Sequence, residues 1–346
     1  MSSLRIKILV LGSFGIGALE NYYVEGFEES GHLVNKFDIN ESYNELISRS
    51  LINKVVNFII PSILIQDINH RLSLYVKEKF FDLILIFKGS TLFPATVTYL
   101  KTKTKLIGNY NPDHPFVYYT RGSGNSFVKN SIPLYDLHFS YSQNIVDKLK
   151  NTFGVEAFFI PFGYRSLLAL NNFNSVKLNS FLFVGAYDRE RARVLSSVYA
   201  KDLIIYGDNK WNTKTRNTDI QSSFRNMKLY GEELKIKTEG SLGVINILRQ
   251  QNLSEESHNM RTFEVPACGG VLISAYTSEQ AKFFEPNKEA LYYKSEEELK
   301  DIMEKIRIDH KFSSQIKRNA FLRCEREDYS YRKRAKTLIS IVTQYL

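Results

Sequence analysis

At 346 residues the chain is about two domains long, taking roughly 150 residues per domain, and 43% hydrophobic with 24% charged residues is enough apolar material for two cores. No apolar run approaches the roughly 18–20 residues of a membrane span, the opening MSSLRIKILVLGSFG lacks the length and cleavage site of a signal peptide, and two distant cysteines carry neither a disulfide framework nor a zinc spacing. The net charge of +9 suits phosphorylated ligands or anionic lipid; with basic residues spread along the chain and no zinc-finger, RNP or basic coiled-coil pattern, a cytoplasmic protein without a nucleic-acid partner is expected.

Residues 6–11 are a short apolar run that ends in GSFGIG and leads into ALENYYVEGFEESGH, which reads as strand, glycine turn and helix, stopped at Gly31 before a strand at 33–37. Gly12, Gly15 and Gly17 do not make the dinucleotide fingerprint, so Gly12 reads either as a tight-turn residue or as a phosphate or acceptor contact. Residues 43–70 have helical period, interrupted or begun by Pro61. FDLILIF at 81–87 is apolar on both faces, as in a strand covered on both sides. Lys88-Gly89-Ser90 follows at its carboxyl end, where α/β sheets place ligands. A helix at 91–101, a strand at 105–110 and the loop NPDHPF come next, with Asp113 and His114 held between two prolines. Further strands at 137–140 and 157–161 flank a helix at 142–152, and alternation of this kind predicts a parallel, Rossmann-like unit over residues 1–165. The Asn-rich stretch from Phe162 to Ser175 is the best linker candidate, and we place the linker at 166–179.

The same grammar restarts at 180. A strand at 180–184 ends at Gly185 before the helix AYDRERARVLSSVYA; a strand at 203–206 ends at Gly207, followed by Trp211. LYGEEL at 229–234 reads as a short connection and GVINIL at 243–248 as a strand. SHNMRTFEVPACGGVLISAY at 257–276 then predicts a short helix at 262–267, a stop at Cys268-Gly269-Gly270 with glycine supplying positive φ, and a buried strand at 271–274. A helix at 278–284, a strand at 290–293 and amphipathic helices at 295–307 and 310–326 complete this unit, assigned to 180–328. The last helix, within 329–346, carries Arg332, Lys333, Arg334 and Lys336.

R-x-F-E-x-x-A-C-G-G before an apolar strand resembles the donor-site segment of the GT-B glycosyltransferases. With FVGAYDRER, IIYGDNKW, YGEEL and GVINILRQ in that order, the chain resembles the group-1 transferases typified by the CgeB spore-maturation proteins. The resemblance is strong over 181–335 and looser over 1–165. It implies two Rossmann-like domains with a cleft between them, the first binding the acceptor and the second the donor, and a final helix crossing back to the first. The activity implied is transfer of a sugar from a UDP-, GDP- or dTDP-sugar to a glycan, lipid-linked glycan or protein. No D-x-D motif is present, so no metal and no further cofactor are expected.

The resemblance assigns the ribose hydroxyls to Glu264. Glu256 stands at the E-x7-E spacing of retaining GT-B enzymes, but beside Glu255 it reads first as a solvated loop acid. For the diphosphate the candidates are Arg261, Arg189 and Arg191, since a guanidinium fork matches phosphate oxygens two at a time, with Ser257 and Asn259 as hydrogen-bonding partners. Arg191 is preferred from its distance after Gly185; Arg189, Arg191 and Arg193 cannot all face one ligand from one helix. Tyr206 and Gly207 are placed near the base, with Trp211 either stacking there or filling the core. Asp113 or His114 is the candidate general base for an inverting reaction, or a turn cap, with Glu20 competing and Arg261 meeting developing charge. The basic last helix reads as a solvated face or as a dock on anionic lipid at the inner face of the plasma membrane. A non-catalytic nucleotide- or glycan-binding protein and a GT-B-fold sugar epimerase are the alternative functions.

Overall fold

The computed structural model describes residues 5–39, 41, 61–119, 124–166 and 178–346. The chain divides into two compact units, Met1–Pro161 with Tyr331–Leu346, and Phe162–Ser330. Each is built on its own parallel sheet.

The first sheet has six strands, Lys7–Gly12 (β1), Leu33–Asp38 (β2), Phe81–Phe87 (β3), Thr104–Asn111 (β4), Leu137–Ser140 (β5) and Ala157–Phe159 (β6), in the order β2-β1-β3-β4-β5-β6. Register follows the apolar runs: Ile8 to Leu11 lies beside Leu83 to Ile86, and Leu83 to Phe87 beside Leu106 to Tyr110. These side chains are almost wholly buried, which explains why β3 is apolar without alternation. The order reverses between β1 and β3, so their carboxyl ends flank a topological switch point.

The helix Leu19–Glu29 lies against the closing helix Tyr331–Val342 within this unit, with Tyr22 and Tyr331 stacked at 5.1 Å. Gly26 permits the approach, since a Cβ there would stand 2.6 Å from the Ala335 methyl. The four basic residues of the closing helix do not share one face. Arg332 pairs with Glu29 at 3.2 Å. Arg334 is half-buried near Tyr23 and Tyr110, and Lys333 and Lys336 are exposed. The helical stretch expected at 43–70 lies outside the described residues up to 60 and runs as a helix from Pro61 to Val76.

The second sheet has five strands, Phe181–Val184 (β7), Leu203–Tyr206 (β8), Gly243–Asn246 (β9), Leu272–Ala275 (β10) and Leu291–Tyr293 (β11), in the order β11-β10-β9-β7-β8. Its switch point lies between β7 and β9. Phe181, Phe183, Ile205, Trp211, Ile245 and Ile273 form the centre of its core, covered by Leu299, Met303, Ile306 and Ile316 of the two amphipathic helices. Where a short connection is expected at 229–234, a helix runs from Gly231 to Gly240. Glu232 and Glu233 suit the positive end of its dipole, and Leu234 and Thr238 are buried.

Candidate functional site

The helix Arg261–Ala267 delivers its chemistry to the switch point of the second sheet. It ends as its glycines require: Gly269 takes φ +68°, and a Cβ on Gly270 would meet the Thr238 methyl at 2.5 Å. Arg261 Nε donates to the Val184 carbonyl at 3.2 Å, at the carboxyl end of β7, and its Nη1 donates to Glu264 Oε2. Glu264 is 6% exposed, and the guanidinium beside it supplies the partner that a buried carboxylate needs. Cys268 and Cys324 are free and buried, and burial pushes both thiols well above the usual range, so neither is a nucleophile at neutral pH.

Arg191 spans the switch point from the helix Arg189–Ser197. Its Nε donates to the Ile247 carbonyl at 3.1 Å, just past β9, and its Nη1 donates to Ala186 at 3.2 Å, just past β7. Burial of the guanidinium, with Arg249 and Arg261 nearby, brings its pKa down to about 10. A half-buried cation with two like charges near it favours the approach of an anion. Arg249 is a member of this group that sequence reasoning missed, though it stands inside GVINILRQ.

Of these cations Arg261 lines a pocket of ≈ 250 Å³, together with Val184, Gly185, Ala186, Tyr206, Gly207, Asp208, Lys228, Leu229 and Tyr230, and Arg191 Nη1 lies close to its Gly185 wall. Sequence reasoning places Gly185, Tyr206 and Gly207 here and does not single out Lys228 or Tyr230. Trp211 is fully buried, edge-on to Phe183 and Tyr187, and its Nε1 donates to the Gly185 carbonyl at 2.9 Å. Its role is therefore to hold the pocket wall, and its ring offers no open face for stacking. Gly207 lies so close that a Cβ would stand 2.2 Å from the Gly185 oxygen and 2.7 Å from Trp211 Nε1. Gly207→Ala is expected to break that hydrogen bond, costing roughly 1–3 kcal/mol of stability by overpacking. A Tm within one degree of wild type, with nucleotide binding intact, would show that the wall yields freely.

Other candidates stand elsewhere in the same unit. Arg189 is exposed and lines a separate groove together with Tyr187. Glu256, exposed and at φ 49°, accepts from the Ser278 amide at 2.9 Å and so caps the helix Ser278–Phe283. Ser257 is wholly buried, with its hydroxyl donating to the Asn252 carbonyl and its own carbonyl accepting from Thr277. Asn259 exchanges amide hydrogen bonds with Asn246 at 2.8 and 3.2 Å and accepts from the Thr262 amide, tying β9 to the start of the Glu264 helix. His258, unnoticed in the sequence, is wholly buried between Glu279, 2.6 Å from Nδ1, and the Phe162 amide, which donates to Nε2 at 3.0 Å. This fixes the proton on Nδ1 and makes His258 an anchor for the chain entering the unit.

In the first unit a second group gathers at the carboxyl ends of β1 to β4. Glu20 folds back over Gly12 and accepts from the Ser13 amide at 3.0 Å. Gly12 leaves room for this placement, since a Cβ there would stand 2.6 Å from Glu20 Cγ and push that side chain aside. Burial raises the Glu20 pKa, with Asp38 adding to the rise and the Ser13 amide and Lys88 opposing it. Lys88, at φ 62°, reaches Asp113 at 2.7 Å, so one ammonium serves both carboxylates. His114 is fully buried, and its Nδ1 accepts from the Phe116 and Val117 amides at 3.4 and 3.0 Å. That ring is an organiser of the loop, and Glu20 and Asp113 are the carboxylates presented at the edge. Asp38 and Asn111, which accepts from the Asp113 amide, are the neighbours that sequence reasoning missed, while Lys88 stands where its strand-end position placed it.

Residues 189–340 match the family described as glycosyl transferase-like. Among solved structures, sucrose-phosphate synthase from Thermosynechococcus elongatus superposes with a TM-score of 0.71 at 10% identity, over 98% of this chain and 99% of that one. Anabaena HepE in complex with UDP and glucose gives 0.63 at 11% identity over 98% and 100%. A UDP-forming α,α-trehalose-phosphate synthase from Burkholderia xenovorans gives 0.63 at 13% identity over 98% and 99%. No curated protein sequence matches the chain. The chain has the GT-B fold, α/β with two parallel sheets. The glycosyl transferase-like sequence match is to residues 189–340, and the structural neighbours include Anabaena HepE in complex with UDP-glucose.

Proposed function

We propose that this protein is a glycosyltransferase that moves a sugar from a nucleoside diphosphate sugar to an acceptor hydroxyl, close in kind to the CgeB-like group. The observation that carries the reading is the convergence of Arg191 and Arg261, with Arg249 near, on the switch point of the second sheet beside Glu264. Anions are drawn to preorganised cations in a site that excludes water, and charge on a leaving diphosphate grows as the glycosidic bond breaks. Arg191 is braced by backbone carbonyls before any ligand arrives, so its reorganisation during reaction is small. Glu264 would take the ribose hydroxyls with the oxygen left over from Arg261. Lys228 and Tyr230 would border the base.

The acceptor, a glycan, a lipid-linked glycan or a protein, is assigned to the first unit. In an inverting transfer its hydroxyl attacks the anomeric carbon, the bond to the β-phosphate oxygen breaks, and Glu20 takes the hydroxyl proton. A raised carboxyl pKa suits that task, since a base is most useful when poised nearer the working pH. Asp113 is held by Lys88 and is the alternative base. Three guanidinium groups would meet the diphosphate charge without a metal.

A thermal-shift screen against UDP-, GDP- and dTDP-sugars and CMP, followed by donor turnover in EDTA, tests the reading. Binding to the folded state raises Tm, by about 2.7 kcal/mol of stabilisation at one hundred times Kd. A nucleotide-dependent shift with EDTA-resistant donor cleavage is expected. A shift without turnover supports a binding protein, and donor isomerised without acceptor supports an epimerase.

A further inference from the structure

Behind the donor pocket, between the helix Arg189–Ser197 and the segment Lys214–Asn217, lies a groove of ≈ 620 Å³. Arg189, Arg193, Lys214 and Arg216 all line it, and no carboxylate does. Arg193 is held by Glu190 at 2.7 Å and Glu296 at 2.5 Å. Arg189, Lys214 and Arg216 have no ion-pair partner among the described residues. Asn217 Oδ1 is occupied by the Asp219 and Ile220 amides, which leaves its NH2 as a further donor. Three cations without an ion-pair partner around a recess of this size make it a place of local positive charge.

We propose that this groove is a second anion site, distinct from the donor pocket, which takes a small molecule carrying two or more phosphate charges. Its concavity favours a small ligand, because its volume falls within the range of small-molecule pockets, about 300–1,000 Å³. A membrane surface would instead call for an amphipathic face with exposed apolar residues. Two or three arginine or lysine heads within one recess can hold separate phosphates at once, and Arg189 and Arg216 offer planar forks for them.

The groove also shares a wall with the donor pocket. Tyr187 lines it and donates from its hydroxyl to the Lys214 carbonyl at 3.3 Å; its ring packs edge-on to Trp211 at 5.3 Å, and Trp211 Nε1 holds the Gly185 carbonyl. Gly185 lines the donor pocket on the other side. An occupant that clamps Lys214 therefore presses on the same Tyr187–Trp211 pair that shapes the donor wall, and the effect is reciprocal if binding energies are coupled.

Because Trp211 is the single tryptophan of the chain, its fluorescence reports on both faces. The test titrates the full-length protein with inorganic triphosphate and with fructose 1,6-bisphosphate, by calorimetry and by Trp211 emission. Wild type, Arg189→Gln/Arg216→Gln and Arg261→Ala are compared, and the two probes separate free phosphate from phosphorylated sugar as the source. We expect the double variant to lose tenfold or more in affinity and the Trp211 response, with Arg261→Ala within twofold of wild type. Binding abolished by Arg261→Ala and kept by the double variant would put the anion in the donor pocket and overturn the proposal. So would no binding of either probe, or binding only of anionic vesicles or nucleic acid.

Discussion

Glu264→Gln is expected to weaken nucleoside diphosphate binding by about ten- to one-hundred-fold, the loss of a charge-assisted hydrogen bond worth about 1.5–3 kcal/mol. Glutamine keeps the shape and one acceptor oxygen while removing the charge that pairs with Arg261, so the comparison isolates the carboxylate. Glu264→Ala is the less informative change. It would leave the Arg261 guanidinium, only 21% exposed, without its partner and would add a stability cost of its own. Calorimetry with UDP and GDP checks the prediction alongside a melting curve. Equal affinity for mutant and wild type, with the fold intact, would remove Glu264 from the ligand. An affinity loss that tracks a large fall in Tm would instead mean that the ion pair only supports the helix Arg261–Ala267.

The same pair shows what could be read before the fold was known. The helix, the glycine stop and the buried strand were legible because each rests on a local rule, the conformational freedom of glycine and the apolar run of a parallel strand. The second GT-B sheet was legible for the same reason; Arg191, six residues after Gly185, reaches the Ile247 carbonyl just past β9. The helix Gly231–Gly240 was not, because its stability comes from burial of Leu234 and Thr238 rather than from an amphipathic repeat. Glu256 carried a spacing that the structure spends on capping a helix, and Ser257 a hydroxyl spent on packing the loop. The residues not singled out, Arg249, Lys228 and Asp38, come to their sites across different strands. Such juxtapositions follow from sheet order, which no local window contains. Gly12 was read as a turn or a ligand contact, and only the three-dimensional overlap with Glu20 shows that it acts through that side chain.

Glu20→Gln is expected to lower transfer by about 10²- to 10⁴-fold, the usual contribution of a positioned general base, while leaving the protein at least as stable near neutral pH. The sign follows from the raised carboxyl pKa. A carboxyl whose folded pKa lies above its unfolded value contributes stability that is fully present below the unfolded pKa, near 4.5, and is lost as pH rises through the folded value. At neutral pH wild type therefore carries a buried charge that glutamine does not, and Gln Oε1 can still accept from the Ser13 amide as Glu20 does. The melting temperature of the variant should equal or exceed that of wild type at pH 7, with any advantage shrinking as pH falls toward 4.5. Activity lost with stability held or gained is the signature of a group retained for chemistry rather than for folding. Turnover unchanged by Glu20→Gln would leave Asp113 as the base, and Asp113→Asn would then show the large loss. A variant that melts well below wild type at pH 7 would instead make Glu20 a structural brace for the turn after β1.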